Sequence, residues 1–176
     1  MSVSIRYAKA LFQLGGEQNK IDQFMRELGG IKQLFDQSAE LKSLFEDRLT
    51  DRTKKIGIIS NLYDKLSISK EVTNLVVLLI NGGREPILDD IIRRYEELYN
   101  DYKGLIPAEV CAAYDMAPED MDALKARIKD LFNKDPLLTA TKDGSIIGGL
   151  RLRVGWTVYD GTIKTHLKDF TKAIKI

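Results

Sequence analysis

A single cysteine, Cys111, and a single histidine, His166, are all the thiol and imidazole chemistry that this 176-residue chain holds. One cysteine cannot close an internal disulfide, and a tetrahedral zinc site needs three or four Cys or His ligands. A reducing compartment is the expected setting, with no metal and no cofactor. An excess of charge of one sign is lacking as well. The 27 basic and 26 acidic side chains leave a formal net charge of +1, and they nearly cancel both before and after Gly104. A nucleic-acid binder would carry a basic patch or stripe, which neither half has. Long apolar runs are also missing. The longest, Leu75 to Ile80, falls far short of the roughly 20 residues that cross a bilayer as a helix, so membrane association is expected only through other proteins. The opening stretch, Met1 to Phe12, sets Arg6 and Lys9 among its apolar residues and lacks the continuous apolar core of a secretory signal. Export is not expected.

Catalytic signatures are equally scarce. Gly82-Gly83 and Gly148-Gly149 have neither the spacing nor the following lysine of a phosphate-cradling loop, and they read as turn and packing glycines. His166 has no nucleophile elbow around it and reads as structural or exposed. Cys111 lies in an alternating strand among small residues and reads as an inert packed thiol. The pairs Asp89-Asp90, Glu96-Glu97 and Glu119-Asp120 occupy successive helical positions about 100° apart, which points each pair in two directions and marks solvated faces. The chain is not expected to be an enzyme.

What is present is helical periodicity, then a change of period. Val3, Tyr7, Leu11 and Leu14 predict a first helix with Ser2 or Ser4 as its cap. Ile21, Phe24, Met25, Leu28, Ile31 and Phe35 predict a second, weakened by roughly 1 kcal/mol at each of Gly29 and Gly30. Leu41, Leu44 and Phe45 mark a short third. Thr50 is the expected cap of a fourth, with stripe Ile56, Ile59, Leu62, Tyr63 and Leu66. Ser69 caps a fifth from Lys70 to Asn81, ended by Gly82 and Gly83, and a sixth runs from about Arg84 to Lys103. After Gly104 the alternation Ile106, Ala108, Val110, Ala112, Tyr114 is a strand. Pro118 opens a helix that ends in Asn133 to Pro136, and Leu137 to Thr141 is a second strand. Leu150 to Val154 is a third, broken at Gly155 and resumed from Trp156 to Tyr159. Ile163, Leu167, Phe170 and Ile174 place a closing helix from about Thr162. The fold class is therefore α+β: an N-terminal six-helix bundle over 1–104, then a small mixed C-terminal domain over 105–176 of order β-α-β-β-α.

The fifth helix is the anomaly. Its six consecutive residues Leu75 to Ile80 are apolar all round, although a single bundle neighbour hides only one face. Either this helix is the centre of the bundle, or part of it is a groove for an amphipathic partner helix anchored at i, i+3, i+4 and i+7. A competing reading is a soluble nucleic-acid-binding or translation-associated module built on the small domain. Arg151 and Arg153 share a strand face, but no aromatic residues interleave with them there. A small hydrolase would need a clustered acid, base and nucleophile.

Taken in order, these features resemble the delta subunit family of bacterial F-type ATP synthase, called oligomycin-sensitivity-conferring protein in mitochondria. Arg6-Tyr7-Ala8-Lys9-Ala10-Leu11-Phe12 is similar to the family's opening RYAxALF. The stretch Asn74-Leu75 to Arg84 is similar to its fifth helix and turn. Ile146-Ile147-Gly148-Gly149-Leu150-Arg151-Leu152-Arg153-Val154-Gly155, with Asp160-Gly161-Thr162-Ile163, resembles its glycine-pair hairpin and closing turn. Trp156 and Lys142 depart from the polar and apolar residues usual at those places. The resemblance implies a non-catalytic peripheral-stalk subunit on the cytoplasmic face of a bacterial plasma membrane. It implies that the helical domain binds the N-terminal helix of a head alpha subunit, in a groove lined by Tyr7, Ala8, Leu11, Leu75, Val76 and Leu79. The C-terminal domain would meet the C-terminal ends of the b subunits, with Gly148, Gly149, Arg151 and Leu167 as stalk-binding residues. On this reading Leu79→Asp would leave the bundle folded and prevent attachment to the head.

Overall fold

The computed structural model describes residues 3–47 and 49–165, the side chains of Glu46, Leu62, Asp64 and Lys65 excepted. Helices α1 (Val3–Glu17), α2 (Ile21–Gln37), α3 (Ala39–Glu46), α4 (Arg52–Lys65), α5 (Lys70–Asn81) and α6 (Leu88–Lys103) come first, with a 3-10 turn at Glu85–Ile87 ahead of α6. There follow β1 (Leu105–Ala112), α7 (Pro118–Phe132), β2 (Asp135–Lys142), β3 (Leu150–Val154) and β4 (Thr157–Asp160). The chain divides into two compact units, Met1–Tyr99 and Asn100–Ile176. Sequence puts the break at Gly104. The end of α6 instead goes with the second unit, where Lys134 Nζ donates to Asp101 at 2.8 Å and the Asp135 N–H donates to the Gly104 carbonyl at 2.9 Å.

In the first unit the apolar stripes converge on one core, which takes Ala8 and Leu11 from α1 and Phe24, Leu28 and Ile31 from α2. Val72, Val76, Leu79 and Ile80 of α5 and Ile91 and Tyr95 of α6 complete its centre. Each fully buried aliphatic side chain contributes roughly 1.5–3 kcal/mol. Aromatic pairs join helices at the edge: Phe35 stacks on Phe45 at 5.0 Å and Phe12 tilts against Tyr95 at 5.5 Å. Helix α2 runs unbroken through Gly29 and Gly30. Two expected caps differ, and Ser69 holds the expected N-cap position of α5 without a side-chain cap hydrogen bond. Ser4 lies inside α1 and donates to Asp90. Asp51 caps α4, accepting from the Thr53 and Lys54 N–H groups at 2.8 and 3.2 Å, while Thr50 turns its hydroxyl to Asp47 at 2.6 Å. Ser69 spends its hydroxyl on Glu27 at 2.5 Å.

Interior charge is the feature the sequence did not announce. Lys55 Nζ donates to Glu85 at 3.0 Å and to the Phe45 carbonyl at 2.9 Å, with side-chain exposures of 2% and 8% for the pair. It ties α4 to the end of α3 and to the 3-10 turn. Such a pair adds little over an apolar replacement, yet losing one partner strands the other, at a cost of about 3–5 kcal/mol.

The second unit is a four-stranded sheet of order β2-β1-β3-β4, parallel between β1 and β2 and antiparallel elsewhere. Helix α7 is the crossover that a parallel pair requires. It ends at Asn133, left-handed at φ 52°, and β2 starts earlier than expected, at Asp135. Pro136 is tolerated in that strand because β2 is an edge. The expected broken third strand is two strands, β3 and β4, paired Val154 to Thr157 across a Gly155-Trp156 turn. Gly155 sits at φ +56°, a conformation that reverses the chain and that side chains resist. The described order is thus β-α-β-β-β. Ile163 to Thr165 form a first helical turn, while Leu167, Phe170 and Ile174 of the expected closing helix lie outside the described residues, as does His166. Ala108, Ile128 and Val154 centre the small core, with Leu124, Leu138 and Leu152 against them.

Candidate functional site

Packing places most of the expected groove residues inside the bundle. Ala8, Leu11, Val76 and Leu79 belong to the core, and Leu79 is 0% exposed. This corrects the expected behaviour of Leu79→Asp, since a carboxylate there would be buried without a partner. Tyr7 and Leu75 are different: they are half-buried at the core's edge.

Helical phase shows what the core leaves outside. With Val72, Val76, Leu79 and Ile80 facing inward, steps of about 100° put Leu75 and Leu78 together on one flank of α5. Leu78 is 52% exposed. On α1, where Ala8 and Leu11 face inward, the same flank carries Val3, Tyr7, Ala10 and Leu14, of which Ala10 is exposed and the others half-buried. Helices α1 and α5 pack on each other, and Arg84, just past the end of α5, donates from Nη1 to the Tyr7 hydroxyl at 2.8 Å. These flanks carry an apolar strip that the core leaves partly exposed. Sequence reasoning missed Leu78 and Ala10. For Leu78 the signal is the phase set by Asn74 and Asn81, the polar residues either side of the apolar run.

In the second unit Gly148 and Gly149 serve packing. A Cβ on Gly148 would meet Ile163 Cδ1 at 2.6 Å, and one on Gly149, which sits at φ +83°, would strike the Gly161 carbonyl oxygen. The pair lets the chain before β3 lie against the turn after β4. In that turn Asp160 accepts from the Thr162 N–H at 3.0 Å, and the Thr162 hydroxyl accepts from the Thr165 N–H at 3.3 Å, capping the helical turn that starts at Ile163. The Thr162 hydrogen bonds, backbone first, hold the Asp160 carboxyl below the usual range, with Arg151 adding attraction.

Arg151 is exposed, 3.5 Å from Asp160. With Arg153, Glu109, Cys111 and Val158 it lines a shallow cavity of about 380 Å³ on the sheet. Arg153 pairs with Glu109, and Cys111 Sγ lies 3.1 Å from Thr141 Oγ1. The two arginines are therefore answered by acids, and the face is a charge ladder. Leu167 lies outside the described residues. Among the described residues no cluster of His, Cys, Asp and Glu is arranged to hold a metal, and no helix is long and apolar enough to cross a membrane.

Comparison with known proteins supplies the context. The family model described as ATP synthase delta (OSCP) subunit matches residues 3–174. ATP synthase subunit delta of Brevibacillus brevis is 32% identical over 171 residues, covering 97% of this chain and 97% of that protein. The Desulforapulum autotrophicum protein of the same name is 29% identical over 175 residues, covering 99% and 96%. Among solved structures, a chain of the Toxoplasma gondii mitochondrial ATP synthase hexamer shares the fold across both units, with a TM-score of 0.81 at 16% identity, covering 100% of this chain and 99% of that one. A chain of Polytomella F-ATP synthase, from a refinement focused on the F1 head and rotor, matches with a TM-score of 0.55 at 27% identity, covering 58% and 90%.

Proposed function

The chain belongs to the ATP synthase delta (OSCP) subunit family, and on that footing we propose that its two compact units carry two separate joints of the peripheral stalk. It is a non-catalytic stator subunit of F-type ATP synthase, part of the static strut that keeps the catalytic head from turning with the rotor. The first unit seats on the head, and the N-terminal helix of an alpha subunit lies along the α1–α5 flanks with Tyr7, Leu75 and Leu78 as its apolar contacts. The exposed Leu78 beside half-buried Leu75 carries this reading. The buried Ala8, Leu11, Val76 and Leu79 shape the floor from within.

The second unit takes the C-terminal ends of the b subunits. Arg151 offers an exposed contact there, Gly148 and Gly149 hold the hairpin in shape, and Leu167 belongs to the same expected surface. Relatives from bacteria support a place at the cytoplasmic face of a bacterial plasma membrane, reached only through the complex. Two joints within one assembly raise the effective concentration at each, so modest single affinities resist torque. Nucleic-acid binding is not favoured, since Arg151 and Arg153 face acids. The test is Leu78→Asp, which changes an exposed residue and keeps the bundle folded. The variant should fail to co-purify with the head; normal stoichiometry with an unchanged circular dichroism spectrum would refute the joint.

A further inference from the structure

The turn that closes α5 holds a cation in place and sets no anion against it. Gly83, at φ +61°, donates its N–H to the Ile80 carbonyl at 3.1 Å, and the Arg84 N–H donates to the Leu79 carbonyl at 2.9 Å. This double closure ends the helix and fixes the Arg84 backbone. On the other side, Glu85 is clamped by buried Lys55. Between these anchors the Arg84 side chain is exposed, and one of its five N–H donors goes to Tyr7. Among the described residues it has no carboxylate partner.

No acid of α1 or α5 is set against it among the described residues, although the whole chain is nearly balanced at +1, and Asp90, which reaches α1 at Ser4, pairs with Arg93 and Arg94. Exposed Arg6 and Lys9 lie on α1. Arg52 Nη1 donates to the Asn81 carbonyl at 3.1 Å, which brings a second guanidinium to the C-terminal end of α5. Of the acids on these two helices, Glu71 is occupied by Lys20 at 3.1 Å, and Glu17 lies at the last residue of α1.

We propose that Arg84 is a specificity-determining residue of the head joint: its tethered guanidinium takes an Asp or Glu carboxylate beside the apolar anchors of the docking helix, and so selects an acidic amphipathic helix. This rests on the reading of the α1–α5 flanks as that joint. Tyr7 limits the rotamers of Arg84 before docking, so less freedom is lost when the planar fork closes on a carboxylate. A charge at the rim of an apolar contact also excludes wrong partners, because a basic helix would meet like charge.

The experiment titrates catalytic head stripped of this chain with the full-length wild-type protein, Arg84→Gln, Arg84→Lys, Tyr7→Phe and Leu78→Asp, each checked by thermal melting. Arg84→Gln should weaken binding about tenfold at about 0.05 M salt and less than about threefold at about 0.5 M, since screening removes an ion pair but not apolar packing. Arg84→Lys should fall between wild type and Arg84→Gln, having charge without the fork. Tyr7→Phe should weaken binding less than Arg84→Gln does, because it frees the guanidinium without removing it. If Arg84→Gln binds as wild type, or loses the same factor at both salt concentrations, while Leu78→Asp abolishes binding, the carboxylate contact is wrong and the joint stands. If Leu78→Asp also binds as wild type, the joint itself is wrong and this assignment falls with it.

Discussion

The two units solve the same problem by different means. The first has enough helices to enclose its apolar stripes, and its centre contains residues at 0% exposure from α1, α2, α4, α5 and α6. The second centres on Ala108, Ile128 and Val154 and depends on backbone geometry at Gly149 and Gly155. The difference teaches where to look for a joint. In an enclosed bundle the most apolar positions are spoken for by the fold, and a partner must use their neighbours in helical phase. In a small sheet domain the shape of a hairpin can matter as much as the residues it presents.

The comparison breaks most sharply on a pair of adjacent leucines. Leu79→Asp should destabilise the first unit by more than about 4 kcal/mol, because it buries an unpaired carboxylate, whereas Leu78→Asp should stay within about 0.5 kcal/mol. Urea unfolding followed by circular dichroism separates them, and equal effects would show that the inward face of α5 had been misjudged. Next in size, Lys55→Ala should cost about 3–5 kcal/mol by stranding Glu85, while Lys55→Met with Glu85→Leu should recover most of it. A single variant no worse than the double would mean the pair is not enclosed.

Gly149→Ala tests the other unit. A methyl group at φ +83°, directed at the Gly161 carbonyl oxygen, should cost about 1–3 kcal/mol and fall on the second unit's transition. Tryptophan fluorescence reports it there, since Trp156 is the chain's only tryptophan. The smallest effect is acidic. Hydrogen bonds lower the pKa of Glu71 and Asp90 in the first unit and of Asp143 and Asp160 in the second. Their contribution to stability is complete above the unfolded values near pH 4 and is lost as pH falls through the lower folded values. The urea midpoint should therefore drop between about pH 5 and pH 2, and Asp160→Asn should flatten that drop in the fluorescence-detected transition alone.

Much of this was legible in the residues. Stripes such as Phe24, Leu28, Ile31 and Phe35 have polar residues between them, which fix both the helix and its buried face. From Leu75 to Ile80 no polar residue intervenes, so hydropathy cannot tell Leu78 from Leu79. Only the phase set by Asn74 and Asn81 separates them in the sequence, and the tertiary contacts show Leu79 inward and Leu78 outward. The same limit hid Lys55, a residue type that is almost never buried unless paired, whose partner lies in a distant turn. The β3–β4 turn was obscured because the alternation pauses at Gly155 for only two residues, and a kink and a reversal look alike at that length. Glycines Gly148 and Gly149 stood out by composition, but their purpose shows only against Gly161 and Ile163.

The enclosed lysine also gives the molecule a chemical clock. Amine-acylating reagents need an accessible amine, which exposed Lys54 offers continually and its neighbour Lys55 offers only when the helices part. The ratio of labelling at these consecutive positions, read by mass spectrometry on a single peptide, therefore counts bundle openings without any engineered reporter, in the free chain or under load within the working motor.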